Sequence, residues 1–286
     1  MRSTAGRPLI VRKLARLRRT VGQWRTKGDT IALVPTMGAL HAGHLSLVTL
    51  ARRRARRVVV SIFVNPAQFA PSEDFATYPR TFAADVKALR EGRADLVWAP
   101  TVADMYPDDF AVQVVPEGPA AVGLEDAARP HFFAGVATVV AKLMLQCQPD
   151  VAVFGEKDFQ QLRVVTAMAR DLDLPVTIVG APTVREADGL AMASRNVYLS
   201  PDERAVAPVL FRVLTLCAEK IAAGRPVAAI LAEGRETLER AGFRLDYLEA
   251  RDAETLRRPA KGRPLRLLAA ATLGRTRLID NMAVRS

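Results

Sequence analysis

Two of the three histidines in this 286-residue chain, His41 and His44, lie three positions apart, so on a helix their imidazoles share one face. They close the segment Pro35-Thr36-Met37-Gly38-Ala39-Leu40-His41-Ala42-Gly43-His44, which leaves the apolar run Ile31-Ala32-Leu33-Val34 and enters a helix near Gly43. Free N–H groups and the dipole at a helix start attract phosphate, and Gly38 and Gly43 let backbone approach a ligand closely. Two imidazoles at that point can donate to one phosphate. Other readings compete: paired histidines also hold zinc, although no Cys, Asp or Glu stands nearby in sequence to complete a site, and the pair can be merely structural.

Three further segments carry candidate groups. Gly155-Glu156-Lys157-Asp158 ends the apolar run Val151-Ala152-Val153-Phe154 and is expected at the same sheet edge as the histidines, where Lys157 offers a point charge to triphosphate oxygens and Asp158 a carboxylate to ribose or magnesium. A Lys-Asp surface pair is the plain alternative. Asn65 and Gln68 follow the run Val60-Ser61-Ile62-Phe63-Val64, where two amides can hold a hydroxy acid; Asn65-Pro66 is equally a turn signal. Met192-Ala193-Ser194-Arg195 supplies a hydroxyl and a guanidinium suited to pyrophosphate, or else forms an interdomain linker with one exposed arginine.

The elements that must position these groups are legible as alternation. Ile31–Val34, Val58–Val64, Asp95–Trp98, Asp150–Phe154 and Val176–Val179 are short apolar, β-branched runs, which suit strands covered on both faces. Between them Gly43–Arg56, Thr81–Glu91, Gly135–Cys147 and Asp158–Arg170 have the length of crossover helices. The pattern predicts an α/β fold: a Rossmann-like parallel sheet domain with helices on both faces over residues 1–182. Ligands of such sheets bind beyond the carboxyl ends of the strands. A smaller α+β domain is expected over 183–286. Ser200-Pro201-Asp202-Glu203 reads as the start of a long helix running to about Ala223, a second helix covers Pro226–Ala241, and strands fall near Leu245–Ala250, Leu265–Ala270 and Arg277–Ile279.

Composition narrows the class. The 41 Lys and Arg against 30 Asp and Glu give a net charge of +11, which admits nucleic acid, anionic lipid or small anions without choosing among them. The densest cluster, Arg52-Arg53-Arg54-Ala55-Arg56-Arg57, complements the dipole at a helix end and is expected to be solvated. No apolar run is long enough for a membrane span, and Met1–Thr20 is basic without the apolar core of a secretory signal. A cytoplasmic protein is expected. Cys147 and Cys217 lie far apart without metal-ligand spacing, and are expected to be buried, reduced thiols.

The His-x-Gly-His pattern after a buried strand resembles the signature of the nucleotidyltransferase superfamily that includes class I aminoacyl-tRNA synthetases. Met192–Arg195 stands where those enzymes carry a flexible loop. Read together in order, Pro35–His41, Val60–Phe69, Tyr78-Pro79-Arg80-Thr81, Phe154–Gln161, Arg185–Asn196 and Arg277-Leu278-Ile279-Asp280-Asn281 resemble the pantothenate synthetase family over nearly the whole chain. That resemblance implies condensation of pantoate with β-alanine through a pantoyl-adenylate, with release of pyrophosphate and AMP. It implies His44, His41, Lys157 and Arg195 as the catalytic set. An ATP site would comprise Pro35, Thr36, Met37, Gly38, His41, His44, Gly155, Glu156, Lys157, Asp158, Val184, Met192, Ala193, Ser194 and Arg195. Asn65, Gln68 and Gln161 would hold pantoate and β-alanine. Glu73, Asp74, Tyr78 and Arg80 belong to a long loop that closes over the substrate.

The resemblance also implies ATP with Mg2+ as substrate, no tightly bound cofactor, no protein-held metal and a homodimer, with neither nucleic acid nor membrane as partner. The chain departs from the family pattern in three places. Ala193 replaces a serine, Ala42 replaces a glutamate, and His131 stands one place early in Arg129-Pro130-His131-Phe132-Phe133-Ala134-Gly135-Val136, so no role is carried onto it. Two rival functions stay open: adenylyl transfer to another small acceptor, and an RNA-binding module using the basic surface. Against the second, aromatics make up 6% of the chain, which leaves few stacking platforms.

Overall fold

The computed structural model describes residues 7–70 and 73–285; the first six residues of the basic N-terminal stretch lie outside them. The elements, in chain order, are β1 (Leu9–Val11), α1 (Leu14–Arg25), β2 (Ile31–Thr36), α2 (Ala42–Arg54), β3 (Arg57–Ile62), α3 (Phe82–Glu91), β4 (Leu96–Trp98), α4 (Val102–Met105), α5 (Glu125–Ala128) and α6 (Phe132–Cys147). They continue with β5 (Val151–Gly155), α7 (Phe159–Asp171), β6 (Thr177–Ala181), α8 (Pro201–Val206), α9 (Val209–Ala222), α10 (Val227–Arg240), β7 (Arg244–Asp252), β8 (Leu265–Leu273) and β9 (Thr276–Val284).

The first six strands form one parallel sheet in the order β1-β4-β3-β2-β5-β6. Successive side chains of a strand point to opposite faces, and β2 shows both faces covered. Ile31 and Leu33 pack in one core with Leu17 and Val21 of α1, Phe133 and Val140 of α6, and Val164 and Val165 of α7. Ala32 and Val34 pack in a second core with Leu47, Val48 and Ala51 of α2 and Leu89 of α3. This is why the strand sequence is continuously apolar rather than alternating. Chain order reverses between β2 and β5: β3 and β4 lie to one side of β2, and β5 and β6 to the other. A crevice opens beyond the carboxyl ends of strands at such a switch point.

The five predicted strands and four crossover helices are present with ends shifted by a few residues. The β1–α1 unit at the sheet edge had no counterpart in the sequence reading, since a three-residue strand carries too little pattern to register. The long helix expected from Ser200 to Ala223 is interrupted: α8 ends at Val206 and α9 begins at Val209, with Pro208 between them. Proline lacks the N–H that would continue the ladder and crowds the preceding turn.

The antiparallel sheet β7-β8-β9 turns one face to α9 and α10. There Leu210, Leu214, Cys217, Ile230 and Leu238 meet Leu248, Leu267, Ala269 and Leu278 in a separate apolar core. Leu268 and Tyr247 project the other way, against the core of the parallel sheet. The basic cluster after α2 is partly paired: Arg56 and Arg57 both reach the buried Asp29, at 2.8 and 2.7 Å, while Arg53 and Arg54 are exposed. Cys147 and Cys217 are both buried and unbonded to each other.

Candidate active site

His41 is the residue immediately before α2, in extended backbone, and its Nδ1 accepts the N–H of Gly43 at 3.1 Å. His44, in the first turn, accepts the His41 N–H on its own Nδ1 at 3.3 Å. The two rings thus occupy the positions of a reciprocal capping box, usually filled by Ser or Thr with Glu, and their centroids are 4.1 Å apart. A neutral imidazole that accepts at Nδ1 carries its proton at Nε2. Burial pushes His44 down to about 3, aided by the neighbouring His41 and the Lys157 charge. Burial and Lys157 lower His41 as well, partly opposed by Asp158. The helix start therefore presents two uncharged N–H donors. Gly43 allows this arrangement, because a Cβ there would stand 2.8 Å from the His41 ring.

Both histidines line a cavity of about 820 Å3 at the β2/β5 switch point. Its wall contains Pro35, Thr36 and Met37 from the end of β2, Gly155, Lys157 and Asp158 from the end of β5, and Asn65 and Gln68 after β3. Gln161 of α7, Val184, Met192, Ala193, Ser194 and Arg195 complete that set. Two residues expected there stand outside the wall. Gly38 faces Asp85 and Ile62, and Glu156 turns its carboxylate to Arg266 at 3.1 Å. Lys157 Nζ lies 3.8 Å from Asp158 Oδ2, a loose pair that leaves the ammonium able to meet an anion.

The supporting polar groups had no role assigned from sequence, although Arg185, Asp280 and Asn281 lie in segments that carry the family resemblance. Asp85 of α3 is buried and accepts the N–H groups of Ala39 and Leu40 at 3.1 and 2.9 Å, and the Thr81 hydroxyl at 3.1 Å. It fixes the loop between β2 and the histidines. Asn281 of β9 donates to the carbonyls of Glu156 and Lys157 at 2.8 and 2.9 Å, and its Oδ1 accepts from Arg266 at 2.7 Å. The small sheet thereby holds the turn that carries Lys157. Arg185 forms a two-point pair with the buried Asp280 at 2.6 and 2.9 Å, which anchors the base of the segment leading to Met192–Arg195. Spacing gives no signal for these partners; they come from elements distant in sequence.

The loop after β3 closes one side of the cavity. Arg195 donates to both oxygens of Asp74, at 2.9 and 2.6 Å, and Ser194 Oγ donates to the Ala39 carbonyl at 3.1 Å. Burial alone would raise the Asp74 carboxyl, but the Arg195 guanidinium outweighs it and holds it below the usual range. Glu73 likewise binds Arg129 through two oxygens, at 2.6 and 2.8 Å. Tyr78 is buried in the wall, whereas Arg80, among the described residues, bonds only to carbonyls of its own loop. His131 precedes α6, away from the cavity wall, while its neighbour Phe132 lines it. Among the described residues no three His, Cys, Asp or Glu side chains gather as a metal site, and no helix is long and apolar enough to cross a membrane.

Comparison with known proteins agrees with this geometry. The family model described as pantoate-beta-alanine ligase matches residues 9–283. A pantothenate synthetase of Rhodopseudomonas palustris is 61% identical over 280 residues, covering 97% of this chain and 99% of its own length. Pantothenate synthetase 2 of Bradyrhizobium diazoefficiens is 62% identical over 279 residues, with the same coverage. Among solved structures, the pantothenate synthetase of Thermus thermophilus superposes with a TM-score of 0.92 at 48% identity, over 97% of this chain and 100% of that one. The Francisella tularensis pantoate-beta-alanine ligase, complexed with beta-gamma ATP and β-alanine, gives 0.83 at 30% identity over 98% of each. By sequence and fold together, this chain belongs to the pantoate-beta-alanine ligase family.

Proposed function

We propose that the chain joins pantoate to β-alanine in two steps within the one cavity. A carboxylate oxygen of pantoate attacks the α-phosphorus of ATP and pyrophosphate leaves; the β-alanine amine then attacks the carbonyl of the pantoyl-adenylate and AMP leaves, giving pantothenate. The observation that carries this reading is the pair of neutral Nε2–H donors at a switch-point helix start, 4.1 Å apart between ring centroids, in the same cavity as Gln68 and Gln161.

His41 and His44 donate to α-phosphate oxygens, which gain charge in the transition state; one such donor supplies about 3 kcal/mol. Because both rings are neutral beforehand, they stabilise charge without transferring a proton. Lys157 and Arg195 meet the leaving phosphates, with Arg195 drawn from its Asp74 pair. Gln68 and Gln161 orient the acid, and Val136, Val139 and Val140 of α6 give its aliphatic body an apolar wall. The remaining work is positioning two reactants. ATP enters with Mg2+ as substrate, the ion resting mainly on phosphate oxygens and water, as hard cations do.

Residues 1–182 and 183–286 act as nucleotide- and acid-binding body and as lid, a division supported by the separate apolar core of the second part. A homodimer is supported by the stretch 111–117, which lies outside the helices and strands and exposes Val112 and Val115, while its Val114 N–H is held by the Thr138 hydroxyl at 2.9 Å. Two exposed valines so close together suit contact with a second copy of the chain. We place the reaction in the cytoplasm, where ATP is supplied and buried thiols stay reduced.

The test is pyrophosphate release from ATP and pantoate with β-alanine left out. Release that depends on pantoate is expected, followed by pantothenate once β-alanine is added. Absence of the first step removes the adenylate mechanism. Release without subsequent amide formation points instead to adenylyl transfer to another acceptor.

A further inference from the structure

The amide of Asn65 is fully committed within the protein, and this decides what Gln68 can show a substrate. Asn65 Oδ1 accepts the N–H of Ala67 at 3.3 Å, and Nδ2 donates to the Gly135 carbonyl at 3.2 Å. A backbone N–H only donates and a carbonyl only accepts, so these two bonds identify which end of the amide is oxygen and which is nitrogen. Two consequences follow from the remaining contacts. The Tyr106 hydroxyl, 2.7 Å from Oδ1, must be the donor, and Gln68 Oε1, 3.1 Å from Nδ2, must be the acceptor. The Gln68 oxygen is thereby committed to Asn65, and Nε2, whose one hydrogen-bond partner among the described residues is the weakly accepting Met37 sulfur at 3.0 Å, is the end left for the cavity that Gln68 and Met37 both line.

We propose that Tyr106 is a positioning residue that, through Asn65, locks Gln68 as a donor-only group and so selects an oxygen acceptor, carboxylate or hydroxyl, on the acid substrate. Tyr106 itself lies behind the wall, outside the cavity lining. Its ring is packed against Phe63 and Phe110 at 6.2 and 5.1 Å. Burial raises its phenol to about 12, so the proton that donates to Asn65 is retained throughout the working pH range. The Tyr106 bond is the shortest of those that hold the Asn65 amide; without it Oδ1 keeps only the longer bond from Ala67, the amide's grip on Gln68 Oε1 loosens, and Gln68 turns its oxygen into the cavity part of the time. An oxygen there repels the substrate oxygen that the N–H group would have bound. The selection concerns the acid end alone, because Lys157, Asp158 and the histidines make no hydrogen bond to this chain of amides among the described residues.

The inference rests on the pantoate reading, and Tyr106→Phe separates the two. The ring and its packing survive, so the thermal midpoint should change little. The KM for pantoate should rise about tenfold, the value of one oriented hydrogen bond, with the KM for ATP and the second-step rate within twofold of the parent. Asn65→Asp serves as an independent check: a carboxylate cannot donate to Gln68 Oε1, so the Gln68 amide must invert and the pantoate KM should rise at least as much, again without the ATP KM following. An unchanged pantoate KM in either folded variant overturns the relay, and so does a parallel rise in both KM values, which marks a merely structural role. If the unmodified enzyme shows no pantoate-dependent pyrophosphate release, the pantoate reading fails before the relay is tested.

Discussion

The Nδ1 atom of His44 accepts the backbone N–H of His41 at 3.3 Å, so a single side chain caps the helix and, from its other nitrogen, offers a proton to the cavity. Structural and catalytic duties are divided between the two ring nitrogens. Removing the ring costs both.

His44→Ala is therefore expected to lose about 1 kcal/mol of folding stability from the missing cap and to cut adenylation by a factor on the order of 100 or more. Denaturant titration measures the first and pantoate-dependent pyrophosphate release the second. A folded variant that adenylates at nearly the parental rate would show that the ring does not face the α-phosphate.

Acid should destabilise the protein through the same residue. His44 has an ordinary value of 6.5 and is held at about 3 by burial in the folded protein. Between those limits the unfolded chain binds a proton that the folded chain refuses. Stability is thus greatest above about pH 6.5 and falls as the pH drops toward 3, with a slope approaching about 1.4 kcal/mol per pH unit from this group. Unfolding midpoints at pH 7 and 5 should differ less in His44→Gln than in the parent. Equal differences would mean that His44 titrates normally.

Asp85→Asn tests the loop support. The carboxylate accepts three donors, and an amide can offer only one oxygen to the Ala39, Leu40 and Thr81 groups. A loss of about 2 kcal/mol is expected, with a raised KM for ATP, because the backbone leading into His41 is no longer fixed. Parental stability and ATP KM together would show that the loop holds its shape without this residue.

Gly135→Ala tests the contact between α6 and the turn after β3. A Cβ at this position would stand 2.2 Å from the Ala67 carbonyl oxygen, so the turn must move away from the helix. Overpacking of this kind costs about 1–3 kcal/mol, and the displacement should raise the pantoate KM more than the ATP KM, since the turn carries Asn65 and Gln68. Equal effects on both substrates would place the turn outside the acid site.

Much of this protein was decided by local sequence. Continuous apolar runs such as Ile31–Val34 dictate strands buried on both faces, because only a covered parallel sheet removes both sides of such a run from water. Cysteine spacing excluded a disulfide framework, and His41, His44, Lys157 and Gln68 were legible as candidates because each follows a buried strand. Tertiary structure decided what those groups can do. The proton position on each imidazole follows from backbone N–H groups that only the folded helix start supplies, and the depressed His44 value follows from burial. Asn65 looked like a substrate ligand by position, yet its amide is spent on Tyr106, Ala67, Gly135 and Gln68. Asp85, Asn281 and Asp280 come to the site from α3 and β9. Hydrogen bonds between residues so far apart in sequence leave no periodic trace, and they exist only after the sheet has folded and brought the ends of its strands together.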